Sequence, residues 1–309
     1  MTVSAPSSER DERRVERVEG DEPVEHRCAV LGSPVAHSLS PVLHEAAYAE
    51  LGLVGWSYGR AEVGPGGLAA FVDGLDGSWR GLSLTMPLKV EVLALAGVSA
   101  VSDVARLAGA GNTLLLDGAD REVHNTDVAG LVWALDRALA GGVGPATVLG
   151  SATVLGSGAT ARSALVALAE LGATQVQVLA RDRAKVHALR PLAEALGLEL
   201  AALPWGRSAP HVDVVVSTVT AGALDDWVEE VAGGAEVVFD VVYDPWPTAL
   251  AVAAARAGAR VVDGLDLLVG QAVLQVELMT GRRPSPEVLR AAGDAALAAR
   301  NVGSGPAAP

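Results

Sequence analysis

Cysteine is nearly absent from this chain. Cys28 is the single one among 309 residues, which excludes an intrachain disulfide framework and a thiolate metal cluster. Positive charge is also scarce: 23 Lys and Arg stand against 37 Asp and Glu, a formal charge of −14. Nucleic-acid binding needs a basic face, so no nucleic-acid partner is expected. A small anionic ligand remains compatible if a few cations are concentrated in one cleft. No apolar run reaches ~18 residues unbroken, so no membrane span and no membrane partner are expected. Residues 1–27 are rich in Glu and Arg and lack the apolar segment of a secretory signal; they read as a solvated tail, as do residues 301–309. The expected location is cytoplasmic. His37, His44 and His124 have no partner at HxxxH or HxxE spacing, so no metal site is expected.

What the chain does have is a strong nucleotide signature. Half of its residues are apolar, enough for two ordinary domains. Thr153-Val154-Leu155 runs into Gly156-Ser157-Gly158-Ala159-Thr160-Ala161, and a helical pattern continues to residue 171. Gly156 permits the tight turn, Gly158 allows backbone to approach a pyrophosphate, and Ala161 is small enough for helix to pack on strand. The helix N-terminus faces the phosphates. A strand over 175–179 then ends at Ala180-Arg181-Asp182-Arg183. Ala180 cannot bind a ribose hydroxyl, whereas Arg181 offers a planar cation for a 2′-phosphate, with Arg183 as a helper; NADP is therefore expected over NAD. Asp182 would either repel that phosphate or accept from the ribose. Strands over 212–217, 235–242 and 260–263 complete a doubly wound α/β domain.

The hexapeptide Ala-Thr-Val-Leu-Gly-Ser occurs twice without change, at 146–151 and 152–157. Only the second copy continues into Gly158 and the helix. It should fill the strand, leaving 146–151 outside it as extra connection after the 141–145 linker.

The first half reads as a second α/β unit. A strand over 28–31 leads to Ser38-Leu39-Ser40-Pro41, where Ser40 is the expected N-cap and Pro41 the first helical residue. Ser38 has no such structural explanation. After a strand, Thr85-Met86-Pro87 opens a helix expected over 88–95, with Lys89 in its first turn. A helix dipole opposes a cation there by ~0.3–1 kcal/mol, and such surroundings favour the neutral amine, which suits proton transfer. Asp127 precedes a helix expected over 131–139, and helix capping is its simplest duty. Gln271 and Gln275 lie at i, i+4 in an apolar helix expected over 265–280, either as a water-facing stripe or as amides turned into a cleft.

Four stretches together resemble the shikimate dehydrogenase family across residues 28 to 300: Ser-Pro-Val-Ala-His-Ser-Leu-Ser-Pro (33–41), Thr-Met-Pro-Leu-Lys (85–89), Gly-Asn-Thr with Asn-Thr-Asp (111–113, 125–127), and Gly-Leu-Asp-Leu-Leu-Val-Gly-Gln (264–271). The resemblance implies reversible reduction of 3-dehydroshikimate to shikimate with NADPH, a step toward aromatic amino acids, in a monomer or homodimer. It implies a substrate domain over 28–127, a Rossmann NADP domain over 128–263, and C-terminal helices over 264–300 returning to the substrate domain. Ser38 and Ser40 would hold the substrate carboxylate, with Tyr243 nearby. Thr85, Asn112, Asp127 and Gln271 would bind ring hydroxyls, and Lys89 with Asp127 would handle the proton. Gly156, Ser157, Gly158, Ala159, Thr160, Ala161, Arg181, Thr218, Val242 and Gly264 would contact the cofactor. The chain departs from many relatives at Ser83, where they carry Asn, at 180–182, where they carry Asn-Arg-Thr, and at Leu267, where they carry Met. Quinate or an amino analogue as substrate, and a non-catalytic NADP-binding sensor, are the competing readings.

Overall fold

A computed structural model describes residues 25–118, 120–140, 149–206 and 211–303. Two six-stranded sheets organise them. The first contains β1 (His26–Gly32), β2 (Trp56–Glu62), β3 (Trp79–Leu84), β4 (Ala100–Val101), β5 (Thr113–Asp117) and β6 (Asp120–His124) in the order β2-β1-β3-β5-β6-β4. β1 runs parallel to both β2 and β3, while β5 is antiparallel to β3 and β6. One face packs on the helices Ser40–Leu51, Gly264–Thr280 and Pro286–Gly303, and the other on short helices between residues 68 and 108. The C-terminal helices thus return to the first sheet.

The second sheet contains β7 (Ser151–Leu155), β8 (Gln175–Leu179), β9 (Glu199–Leu203), β10 (Val212–Ser217), β11 (Ala235–Asp240) and β12 (Arg260–Val262) in the order β12-β11-β10-β7-β8-β9. All of its pairings are parallel. Helices cover both faces, so β10 is valine-rich and buried almost throughout, and β11 is buried from Val237 to Asp240, as a doubly covered parallel sheet requires. The strand order reverses between β7 and β10. Ligands bind such sheets outside the carboxyl ends of the strands at that point.

Several sequence expectations shift. The first strand begins at His26, inside the expected tail, and the last helix runs to Gly303; residues 1–24, 141–148 and 304–309 lie outside the described ones. The second hexapeptide copy supplies Ala152–Leu155 of β7, but Ser151 from the first copy opens the strand. Leu149 is fully buried, and Gly150 and Ser151 donate their N–H groups to Asp213 at 2.8 and 2.9 Å. The end of the first copy is therefore framework, because the strand needs an anchored entry. Among the described residues no helix is long and apolar enough to cross a membrane.

Helices Asp127–Ala140 and Gly264–Thr280 cross in close contact. A Cβ added to Gly130 would lie 2.9 Å from the Gln271 nitrogen, and one on Gly270 would lie 2.9 Å from the Gly130 Cα. Only glycine allows this approach, and it brings the N-terminus of one helix to the middle of the other.

Candidate active site

A cleft of about 300 Å³ lies between the two sheets. Ser38, Ser40, Thr85, Lys89, Asp127, Tyr243 and Gln271 all line it, joined from the nucleotide-binding half by Thr160 and Gly264. A more open groove of about 510 Å³ lies at Trp246, Ala251 and Val261. Its lining holds no carboxylate or hydroxyl, so it offers no acid–base chemistry.

The serine loop reverses one expectation. The helix starts at Ser40, and neither Ser40 nor its predecessor caps it with a side chain. Ser38 Oγ instead accepts from the Ser40 N–H and donates to Ser40 Oγ, both at 3.2 Å. Proline at the second helical position already removes one orphan N–H, so the Ser40 hydroxyl is released to the cleft. Tyr243 comes from beyond β11 and reaches the Leu39 backbone; burial raises its phenol, against the opposing effect of that backbone, Arg300 and Arg60. Arg300 bridges the two sides of this end, donating to the His37 carbonyl at 3.0 Å and to Asp244 at 2.8 Å.

Lys89 lies on a single helical turn, Leu88–Glu91, followed by a 3-10 turn over Val92–Ala94. The helix expected over 88–95 is one α-turn tightened into a 3-10 turn that ends at Ala94, and so short an element builds no substantial macrodipole. The electrostatic neighbour is a carboxylate: Lys89 Nζ lies 2.6 Å from Asp127 Oδ2. Asp127 is the first residue of its helix rather than a residue ahead of it. Asn125 takes the capping role, accepting from the Val128 N–H at 3.2 Å, so Asp127 is not consumed by the helix end. Its second oxygen accepts from Asn112 at 3.0 Å.

Asn112 does not line the cleft. Buried behind Asp127, its amide nitrogen shares two protons among Asp127 Oδ1 and, both at 2.9 Å, Gln271 Oε1 and Thr126 Oγ1. Its oxygen accepts from the Thr126 N–H at 2.7 Å. One amide thereby orients a carboxylate and a glutamine from two different helices. Gln271 and Gln275 are 7% and 0% exposed, so the water-facing stripe is excluded and both amides turn inward. Gln275 is thus the cleft-directed alternative of the glutamine pair, and Ser83 stands in the sequence only as a departure from the Asn of many relatives.

The nucleotide-side residues form a separate surface at the end of β7. Gly156 has φ +112°, and a Cβ there would lie 2.4 Å from Thr218 Oγ1. Thr218 itself donates to the Leu155 carbonyl at 2.8 Å, closing the β7–β10 reversal point. Helix Ala159–Glu170 carries no side-chain cap at Gly158, so its first N–H groups stay available to phosphate oxygens. Ser157 and Ala159 are half-buried beside exposed Gly158, and Ala161 is packed on the strand. Arg181 is exposed beyond β8. Asp182 caps helix Arg183–His187, its Oδ1 accepting from the Ala184 and Lys185 N–H groups. The Gly264 N–H donates to the Val242 carbonyl at 3.2 Å, and neighbouring Val241 lines the cleft. An open helix start, a left-handed glycine and a cation in place of an acid fit an NADP molecule.

These features define a dinucleotide-linked oxidoreductase: a parallel nucleotide-binding sheet, a second α/β unit, and a lysine–carboxylate pair between them. Residues 30–114 match the shikimate dehydrogenase substrate binding domain, and residues 264–292 match the shikimate 5'-dehydrogenase C-terminal domain. The chain belongs to the shikimate dehydrogenase family. It is 38% identical over 274 residues to the shikimate dehydrogenase (NADP(+)) of Methylobacterium radiotolerans, covering 85% of this chain and 94% of that one. Among solved structures, the Mycobacterium tuberculosis shikimate dehydrogenase is 39% identical with a TM-score of 0.78, covering 87% of this chain and 99% of that one. The Thermus thermophilus enzyme in complex with NADP(H) and shikimate is 34% identical with a TM-score of 0.76, covering 88% and 100%.

Proposed function

We propose that this protein is an NADP-dependent shikimate dehydrogenase that reversibly reduces 3-dehydroshikimate. One observation carries the reading: Lys89 and Asp127 pair at 2.6 Å inside a cleft whose other wall comes from the nucleotide-binding half. The chemistry supplied there, when the nicotinamide is bound, is hydride transfer.

The chain's residues handle charge and position. The Lys89 ammonium gives its proton to the oxygen that forms as the carbonyl is reduced, and takes it back from the alcohol in the reverse direction. Asp127 aims the ammonium and balances its charge, while Asn112 behind it keeps the carboxylate in place. Ser38, Ser40 and Tyr243 take the substrate carboxylate at one end of the cleft. Thr85 and Gln271 take ring hydroxyls at the other. Arg181 and the uncapped helix start hold the phosphates of NADP, so residues 28–127 with 264–300 act as substrate domain and 128–263 as cofactor domain.

The test is NADPH absorbance followed with 3-dehydroshikimate, 3-dehydroquinate and the amino analogue in parallel. Fastest turnover of 3-dehydroshikimate is expected. Binding of NADPH without its consumption by any of the three would replace the enzyme with a sensor.

A further inference from the structure

Ser83 ends up on the cleft floor at 3% exposure, and a buried chain of hydrogen bonds decides what it offers a ligand. The chain can be solved from one end. A backbone carbonyl only accepts, so the Gln275 nitrogen must be the atom that meets the Asn112 carbonyl at 3.1 Å, and it also donates to Thr113 Oγ1 at 3.0 Å. Gln275 Oε1 is then the atom 2.8 Å from Ser83 Oγ. An amide oxygen only accepts, so the Ser83 proton is committed to it. Tyr58 Oη lies 2.5 Å from the same Ser83 oxygen and must donate to it. Burial raises the Tyr58 phenol, so that donor keeps its proton. His44, stacked on Tyr58 at 3.8 Å, adds an Nε2 contact to Gln275 Oε1 at 3.4 Å, and burial keeps its ring neutral.

A hydroxyl has one proton and two lone pairs. The Ser83 proton and one lone pair are occupied inside the wall, which leaves one lone pair for the cleft. We infer that Tyr58 and Gln275 are positioning residues that make Ser83 an acceptor-only group, so that this part of the cleft selects a ring substituent that donates a hydrogen bond. A hydroxyl or an ammonium satisfies it; a carbonyl, an ether or a fluorine leaves two acceptors facing each other. This rests on the shikimate reading above and adds a rule for substituents away from the reacting carbon. Unlike Lys89, Ser83 neither gives nor takes a proton.

The experiment uses shikimate and two analogues, each with one non-reacting ring hydroxyl replaced by fluorine, which matches the hydroxyl in size but donates nothing. Dissociation constants are measured in the presence of NADP. In the wild type, one fluoro analogue should bind at least ~10-fold more weakly than shikimate, since a polar group left facing the wrong partner forfeits its hydrogen bond. In Ser83→Ala that ratio should collapse toward one, with shikimate weakened to match. Gln275→Leu should also narrow the ratio, because the Ser83 proton is freed to turn into the cleft; a merely structural role for Gln275 would weaken all three ligands alike. NADPH affinity and the unfolding transition verify that each variant is folded. If Ser83→Ala misfolds because Tyr58 is left unpaired, the Tyr58→Phe/Ser83→Ala pair removes both polar groups and serves instead. Persistence of the fluorine penalty without the Ser83 hydroxyl overturns the inference. So does equal wild-type binding of all three ligands. Failure of wild-type protein to bind shikimate at all would instead strike the proposed function.

Discussion

Lys89 Nζ and Asp127 Oδ2 lie 2.6 Å apart although 38 residues separate them. Neither local element explains the pairing. The Lys89 turn is too short to hold it, and the Asp127 helix is capped by Asn125. The proton-handling role makes Lys89→Met decisive: kcat should fall by ~10²–10⁴, the usual worth of a general acid–base group, while NADPH affinity holds. Steady-state rates in both directions measure it. A variant keeping more than about a third of wild-type kcat would remove Lys89 from the proton transfer.

Arg181 is expected to set cofactor choice. Arg181→Ala should weaken NADPH by ~1.5–3 kcal/mol, the scale of a charge-assisted hydrogen bond, and leave NADH nearly unchanged. Because Asp182 is occupied as a helix cap, Asp182→Ala should instead cost ~1 kcal/mol of stability. Fluorescence titration with both cofactors separates the two effects. Equal losses for NADPH and NADH in Arg181→Ala would give that residue a structural role.

Burial lowers the His44 imidazole from its ordinary 6.5 to about 3. The unfolded chain therefore takes up a proton as pH falls below about 6.5, while the folded chain refuses it until about 3. In that window His44 costs stability, at a limiting slope of ~1.4 kcal/mol per pH unit. Above it the neutral ring is the same in both states and costs nothing. His44→Phe should flatten the fall in stability between pH 6 and 4 relative to wild type. Urea unfolding across that range checks it, and parallel acid limbs would show that His44 protonates while folded.

The duplicated hexapeptide gives an unusual deletion, because removing 146–151 or 152–157 yields the same chain. The residues then preceding the strand are Val143-Gly144-Pro145 in place of Leu149-Gly150-Ser151. A buried leucine becomes valine, and proline has no N–H for Asp213. The expected loss is ~1–3 kcal/mol from reduced packing and one missing hydrogen bond. NADPH affinity should stay within about threefold, since the turn and uncapped helix start persist. Denaturant midpoints and cofactor titration report both; a well-folded variant that no longer binds NADPH would show that the entry segment shapes the phosphate site.

The glycine turn was legible in sequence because its cause is local: Gly156, Gly158 and the following helix act through backbone geometry over a few residues. Strands β8 and β10 were legible for a related reason, since both are rich in valine and bounded by turn residues, and β10 is apolar apart from Asp213 and its terminal serine. Local reasoning failed where two side chains of one type competed for one duty. Ser40 was the better cap by position, yet Ser38 supports the turn and leaves Ser40 in the cleft. Asp127 looked like a cap until Asn125 was found to hold that place, whereas Asp182 proved to be one. Gln275 showed in the sequence only as one of two amides that face either water or a cleft. Its meaning depends on Ser83 and Asn112, 192 and 163 residues away. The sequence by itself determined the kinds of element and the chemistry available at each position. Which hydroxyl, amide or carboxylate remained free for a ligand was decided only by tertiary packing, because a buried polar group is committed to whichever partners the folded chain brings within hydrogen-bond reach.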